Sequence, residues 1–373
     1  MVVKIADNIL SPLGDTTLAN YRAVKAGRSQ LKHYPHLWGL PEPCVASIID
    51  RESLPPAPGH TTFETLAITS AANALAQCSV DPAAPNVLFV LSTTKGNVHL
   101  LDTRADSFDR SRVMLGAAAQ IIASHFRNPN TPLVVSNACT SGISALIVAS
   151  RLLKQGTYDY AVVVGADIQS PFIISGFQSF KALSPEPCRP FDAHRMGLNL
   201  GEAAATMVLA RVDSPAPSQW QLVCGAIRND ANHISGPSRV GEGSYQALAA
   251  LMAHTTPDEL AFINAHGTAT LYNDEMESIA ITRAGLQHLP VNSLKGCYGH
   301  TMGAAGVLEA LVSMCAVDDH TVLPTRGFET LGVSNPLCVT SRPSATTRRA
   351  FIKLLSGFGG CNAAMLFRKE ADK

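Results

Sequence analysis

An α/β fold is predicted by three observations. Short β-branched runs alternate with longer, alanine-rich segments of helical spacing. The runs are apolar without alternation, and the composition is rich in core-forming residues. Hydrophobic types supply 46% of the 373 residues and charged types 16%, against roughly 25% charged in an average domain. That balance excludes intrinsic disorder and calls for an extensive buried core. Continuous apolar runs belong to strands covered by helices on both faces, so the sheet is predicted to be largely parallel.

Strands are predicted at 86–91 (NVLFVL), 133–135 and 160–164 (YAVVV), then at 259–263 and 351–354. Helical spacing of apolar residues marks 65–77, 113–126, 141–154, 245–254 and 306–316. The Pro/Ser-rich segment 213–218 (DSPAPS) is the predicted internal boundary. It gives an N-terminal half over 1–213 and a C-terminal half over 214–373. Residues 54–59 (LPPAPG) read as a surface loop, and no short-period repeat is present.

Twenty-nine basic residues balance 29 acidic ones, for a formal net charge of zero, which argues against a nucleic-acid binder or a polybasic membrane protein. No apolar run reaches the roughly 18 residues of a membrane span, and the N-terminal segment lacks a signal-peptide pattern. The nine cysteines are scattered and odd in number, so neither a disulfide framework nor a Cys-x-x-Cys metal site is expected. A soluble, cytoplasmic protein is the resulting expectation. A Gly-rich dinucleotide fingerprint, a phosphate loop and a His-Glu-x-x-His helix are all missing from the sequence.

The most informative segment is Pro132-Leu-Val-Val-Ser-Asn-Ala-Cys-Thr-Ser-Gly-Ile-Ser-Ala-Leu146. A buried strand ends and Cys139 stands where an apolar helix begins, the pattern of a nucleophile elbow. The helix dipole there would lower the thiol pKa. The same segment suits a small buried hydrophobe equally well. Downstream, Asn264-Ala-His-Gly-Thr-Ala-Thr270 places His266 just past a strand, and Asn292-Ser-Leu-Lys-Gly-Cys-Tyr-Gly-His300 presents Lys295 and His300 before a helix. With the Gly-rich segment Ser356-Gly-Phe-Gly-Gly360, these favour a chemical role for Cys139.

The set resembles the elongating β-ketoacyl-acyl-carrier-protein synthases, the condensing enzymes of fatty-acid and polyketide synthesis. The resemblance runs through Ser11-Pro-Leu-Gly14, Ala138-Cys-Thr-Ser-Gly142, Arg189-Pro-Phe-Asp192, Asn264–Thr270, Gly299-His-Thr-Met-Gly-Ala-Ala-Gly306 and Gly357-Phe-Gly-Gly360. It covers nearly the whole chain in order. It implies a thiolase-like, five-layer αβαβα fold made of two similar halves, the first carrying the cysteine and the second the two histidines and the lysine.

The implied reaction is a decarboxylative Claisen condensation between a Cys139-bound acyl chain and malonyl-carrier protein. Backbone N–H groups of Cys139 and Phe358 would form the oxyanion hole. His266 and His300 would stabilise the enolate through Nε2, with Lys295 orienting His266 or polarising its surroundings. Glu309 would be structural or would tune His300 and Lys295, and Asp274 with Glu277 resembles a structural acidic pair, though a solvated helical face fits that spacing too. Thr268 and Thr270 would bind the phosphopantetheine arm, and Phe358 would act as an aromatic gate. No metal or redox cofactor is implied, since the phosphopantetheine belongs to the acyl carrier protein. A homodimer is implied, or a heterodimer with a related subunit.

The chain departs from the family pattern in places. It is shorter than usual, with Ser184-Pro-Glu-Pro187 in place of a longer loop. Lys181, Arg104, Arg110 and Arg112 are candidates for meeting an acidic carrier, or are ordinary surface charges. Tyr298 stands where a threonine is usual, and Gly201-Glu-Ala-Ala-Ala205 replaces a glycine-richer segment. Both bear on pocket shape, so a specialised ketosynthase of a polyene or polyketide-like pathway, or its chain-length partner subunit, stays open as the alternative. A thiolase would need a second cysteine in Cys-x-Gly-x-Gly, whereas Cys361 is followed by Asn362-Ala-Ala364. Initiating condensing enzymes pair the cysteine with His and Asn. A cysteine hydrolase would leave His300 unexplained, and a non-catalytic scaffold would leave the whole set unexplained.

Overall fold

The computed structural model describes residues 1–55, 57–102 and 108–371. Eleven of its strands join one sheet: β1 (Val2–Leu10), β2 (Val87–Ser92), β3 (Leu133–Val135), β4 (Tyr160–Asp167), β5 (Ala203–Arg211), β6 (Trp220–Asn229), β7 (Leu260–Asn264), β8 (Pro290–Asn292), β9 (Cys338–Val339), β10 (Ala350–Gly357) and β11 (Cys361–Lys369). Their order is β9-β8-β7-β10-β11-β6-β1-β5-β4-β2-β3.

The order contains a repeat. Before the 213–218 segment the strands run β3-β2-β4-β5-β1, and after it β8-β7-β10-β11-β6. In both runs the first two pairings are parallel and the last two antiparallel. The two similar halves of a thiolase-like fold are thus visible in the pairing, and they join through a short antiparallel contact of Val3 with Gln221 and Lys4 with Trp220. Residues 213–218 lie in the connection from β5 to β6.

Nine helices occur among the described residues: α1 (Thr17–Lys25), α2 (Thr62–Leu75), α3 (Leu115–His125), α4 (Ser141–Gln155), α5 (Pro171–Ser179), α6 (Glu242–Leu251), α7 (Leu271–Arg283), α8 (Lys295–Tyr298) and α9 (Ala305–Asp318). Helices α2 and α3 cover one face of the first half through a cluster that includes Phe63, Leu66, Phe89, Ile122 and Val162. Helices α6 and α7 cover the second half through Leu248, Ile263, Ile281 and Ile352. Helices α4 and α9 pack on each other and on strands of both halves, burying Ile143, Leu146, Val307 and Leu311 between them. That central layer completes the five. Two smaller sheets lie outside it, one pairing Leu200–Gly201 with Cys44–Ser47.

The expected elements are present, with ends shifted by a few residues. Helix α2 begins at Thr62 because Thr61 and Glu64 form a capping box, the Thr61 hydroxyl accepting from the Glu64 N–H and the Glu64 carboxylate from the Thr61 N–H. The sheet, however, is mixed, with antiparallel pairs β1/β5, β4/β5, β1/β6, β6/β11 and β10/β11. Helices bury both faces whichever way a strand runs, so an apolar run reports burial and not direction. Strand β5, AAATMVLAR, has low β-propensity and is formed by its neighbours.

Where α4 and α9 meet, their first turns leave no room for side chains. A Cβ on Gly306 would stand 2.4 Å from the Ile143 nitrogen, and one on Gly142 2.8 Å from the Gly306 Cα. Gly306→Ala is expected to destabilise the protein by about 1–3 kcal/mol or more, as overpacking does. Gly176→Ala, in the open interior of α5, is expected to stabilise it by about 0.5–1 kcal/mol. Denaturant unfolding of both variants checks the pair; a neutral Gly306→Ala would contradict the close crossing.

Candidate active site

Strand β3 ends at Val135 and α4 begins at Ser141. Between them Ala138 takes φ 46°, the sharp turn that aims the next side chain above the sheet. Hydroxyls of the first helical turn brace it. Ser141 Oγ donates to the Ala138 carbonyl (2.5 Å) and accepts from the Asn137 N–H (2.8 Å), while Thr140 Oγ1 donates to the Asn137 carbonyl (2.7 Å). The end of β10 passes over this turn so closely that a Cβ on Gly357 would lie 2.9 Å from the Cys139 nitrogen. The next residue, Phe358, turns its N–H to the Cys139 sulfur.

His266 follows β7. Its N–H and that of Gly267 donate to the two oxygens of Glu277 (2.7 Å each), and the N–H groups of Thr268 and Ala269 donate to Asp274 Oδ1 (3.0 and 3.2 Å). Both acids are fully buried on α7, not on a solvated face. Burial pushes their carboxyls up, Asp274 to about 6 and Glu277 to about 7.

His300 follows α8. Its N–H donates to the Asn199 carbonyl (2.7 Å) and its carbonyl accepts from Gly201 N–H (3.0 Å), which gives the 199–201 segment its task. The His300 Nδ1 accepts from the Met302 N–H (3.2 Å), so Nε2 carries the ring hydrogen. That Nε2 is buried with no hydrogen-bond partner among the described residues. The His266 Nδ1 is likewise buried and unpartnered.

The structure brings these groups together. Cys139 Sγ and one ring nitrogen of each of His266 and His300 lie within 4.8 Å of one another, and the two rings meet edge-on at 5.0 Å. They face a cavity of about 450 Å³ that Thr268, Thr270 and Phe358 also line. The two threonine hydroxyls are 3.0 Å apart. Phe358 stacks on Phe177 (5.9 Å between centroids) and meets Phe180 edge-on (5.6 Å).

Lys295 Nζ donates to Glu309 Oε1 (2.5 Å) rather than to His266. The other oxygen of Glu309 lies 2.6 Å from Lys353, a residue the sequence did not single out because it sits inside an apolar strand. Burial raises the Glu309 pKa, but the two ammonium groups pull it below the usual carboxylate range. A second carboxylate that escaped notice is Asp167, at the end of β4. It accepts from Thr93 Oγ1 (2.7 Å), Thr94 N–H (2.9 Å) and Gly303 N–H (2.7 Å), tying the turn after His300 to the first half. Its signal was a lone acid closing an apolar strand.

Several expectations change. The thiol of Cys139 does not end low despite its place at a helix start: burial pushes it up to about 11, against the opposing pull of Lys295. Burial and the nearby lysines hold both histidines well below the usual imidazole pKa. Tyr298 points into the core between the halves and does not line the cavity. Arg112 is engaged internally, with Glu64 at 3.1 Å and the Gly59 carbonyl at 2.9 Å. Arg110 is exposed, Lys181 borders the cavity, and Arg104 lies outside the described residues.

A strand-to-helix thiol facing two neutral imidazoles, in a duplicated α/β fold, suits acyl transfer through a thioester. Comparison with known proteins agrees. Residues 57–214 match the family description "Beta-ketoacyl synthase, N-terminal domain" and residues 221–329 match "Beta-ketoacyl synthase, C-terminal domain". The 3-oxoacyl-[acyl-carrier-protein] synthase 2 of Rhizobium meliloti is 33% identical over 70% of this chain and 66% of its own. Nodulation protein E of Rhizobium leguminosarum bv. trifolii is 30% identical over 72% of this chain and 70% of its own. Among solved structures, a chain of the complex of the ketosynthase ApeO with its chain length factor ApeC, from Xenorhabdus doucetiae, superposes with a TM-score of 0.88 at 26% identity, covering 99% of this chain and 98% of that one. The chain belongs to the β-ketoacyl synthase family, the condensing acyltransferases.

Because the thiol stays protonated at neutral pH, alkylation of Cys139 by iodoacetamide is expected to keep accelerating up to about pH 11. In Lys295→Met, which loses a cation favouring the thiolate, the rise moves to higher pH. Peptide mass spectrometry across pH reads both; a rate that levels off near neutrality would contradict the raised thiol pKa.

Proposed function

We propose that this protein is an elongating β-ketoacyl-acyl-carrier-protein synthase that loads an acyl chain on Cys139 and condenses it with malonyl-carrier protein, in fatty-acid or related polyketide synthesis. The observation that carries this reading is the gathering of Cys139, His266 and His300 within 4.8 Å at the floor of one cavity. The first half-reaction moves the acyl group from the carrier's thioester to Cys139. The proton of the Cys139 thiol ends on the departing carrier thiolate, so this half-reaction balances with no net proton change. The N–H groups of Cys139 and Phe358 serve as the oxyanion hole.

In the second half-reaction the malonyl C–C bond breaks, carbon dioxide leaves, and the electron pair moves toward the thioester oxygen. His300 Nε2–H and the His266 ring stabilise that enolate. It attacks the acyl-cysteine, and the tetrahedral intermediate expels Cys139, which takes up one proton. No C–H proton has to be removed, which is why two imidazoles suffice without a carboxylate relay. Lys295 and Glu309 support this site from behind the histidines.

Thr268 and Thr270 receive the phosphopantetheine arm, which arrives on the carrier, so the enzyme needs no metal or redox cofactor of its own. Phe358, packed on Phe177 and Phe180, gates the cavity, and Lys181 at its border meets the acidic carrier. We place the halves at 1–213 and 214–373 and the protein in the cytoplasm; no helix among the described residues is long and apolar enough to cross a membrane. A homodimer is the reading for assembly. A heterodimer with a chain-length subunit is the second reading, favoured by the likeness to a ketosynthase solved with its chain length factor.

Cys139→Ala is expected to abolish acyl loading. His300→Ala is expected to keep acyl loading on Cys139 and to slow malonyl decarboxylation by about 10²–10³-fold, the cost of losing one preorganised donor. Intact-protein mass spectrometry and carbon dioxide release separate the two steps. Undiminished carbon dioxide release from His300→Ala would end its enolate role.

A further inference from the structure

Lys353 has 0% exposure in the middle of β10, between buried Phe351, Ile352, Leu354 and Leu355. A lysine is almost never fully buried unless it is paired. Its Nζ lies 2.6 Å from Glu309 Oε2 and donates to the main-chain carbonyls of Ala265 (3.0 Å) and Asn264 (3.3 Å), the two residues before His266. Lys295 holds the other oxygen of the same glutamate. Two buried ammonium groups therefore share one carboxylate, and one positive charge is left over behind the histidines.

Among the described residues Glu277 is a further acid that interacts with Lys353, and burial raises its carboxyl to about 7, so it offsets that charge in part. Cys139 is a neutral thiol. Glu277 and Asp274 accept from the backbone N–H groups of 266–269 and of Phe191, which favours their ionised forms, with Arg195 3.9 Å from Asp274, while burial opposes this and raises both carboxyls. Asp167 is turned to Thr93, Thr94 and Gly303. The sheet does not need a lysine at this position, because β7 and β10 already pair in register, Asn264 with Lys353. An apolar side chain of similar length would fill the same space without desolvating a charge.

We propose that Lys353 is a positioning residue for the condensation step, one that holds the Asn264–Ala265 carbonyls carrying His266 and supplies the surplus positive charge toward which negative charge moves as the malonyl carboxylate is lost. The electron pair shifts from the departing carboxylate to the thioester oxygen beside the imidazoles, so a cation behind them favours the transition state over the bound substrate. This inference rests on the condensing reading above.

The test uses the full chain, with acyl loading of Cys139 and malonyl-carrier decarboxylation measured separately across pH in wild type, Lys353→Met and the double variant Lys353→Met with Glu309→Gln. Lys353→Met removes the surplus charge, and the double variant restores it by leaving Lys295 alone. The single variant is expected to load acyl groups normally and to decarboxylate about 10–100-fold more slowly, the range for an outer partner of a reactive group. Its acid limb should move to higher pH, because a cation that disfavours imidazolium is gone. Wild-type decarboxylation should fall as pH rises through about 8, where burial places the Lys353 ammonium, and that fall should be missing from the single variant. The double variant should recover part of the rate.

A wild-type rate and pH profile in Lys353→Met would overturn the proposal. So would equal losses of loading and decarboxylation with no recovery in the double variant, the result of a purely structural role. If Lys353→Met does not fold, Lys353→Gln gives the same comparison. Failure of wild type itself to decarboxylate malonyl-carrier protein would sink the condensing reading and this inference with it, a result distinct from the others.

Discussion

Helices α4 and α9 approach so closely at Gly142 and Gly306 that neither position has room for a Cβ, and the reactive groups stand where they do because of that crossing. Each helix opens immediately after a turn that carries chemistry, Cys139 before α4 and His300 before the turn into α9. Bringing the first turns together therefore brings the thiol and the imidazole together. His266, past the end of β7 in the second half, completes the set. The duplicated strand order makes this arrangement reproducible, since each half delivers its central helix by the same path.

Burial then decides the charge state of the thiol and of both imidazoles. The thiol of Cys139 is pushed up and both imidazoles are pushed down, so Cys139 rests as a neutral thiol beside two neutral imidazoles. A site of that kind does not depend on a standing thiolate. On the proposed condensing function, charge develops only when substrate arrives, and the fixed dipoles and cations around the site would receive it. Glu309 is the exception that shows the scale of the effect: two ammonium groups are needed to overcome its desolvation.

Much of this was legible in the sequence, and the parts that were not share a cause. The strands at 86–91 and 160–164 and the helix from 141 could be read because apolar runs and helical spacing report burial directly. Cys139 and His266 could be read because each follows an apolar strand, and His300 because its Gly-His motif before a helix resembles the β-ketoacyl synthases. Strand direction was hidden, since both faces are covered whichever way the chain runs. Lys353 was hidden because its partner, Glu309, is 44 positions away in sequence and nothing local announces the pairing. The thiol's pKa was misjudged for a related reason: the helix start is local and visible, whereas the burial that raises the pKa is set by the tertiary structure. Tyr298 next to Gly299-His300 looked like a pocket residue, but the turn aims it into the core between the halves.

The central claim is that Cys139 carries an acyl chain that a decarboxylated malonyl unit then extends. Intact-protein mass spectrometry of the wild-type enzyme tests it most directly, first with an acyl-carrier thioester and then after addition of malonyl-carrier protein. The account predicts an acyl adduct confined to the Cys139 peptide, discharged by the malonyl carrier with release of carbon dioxide and appearance of a carrier-bound chain two carbons longer. An adduct on another cysteine, or one that leaves only as free acid with no extended chain, would contradict it.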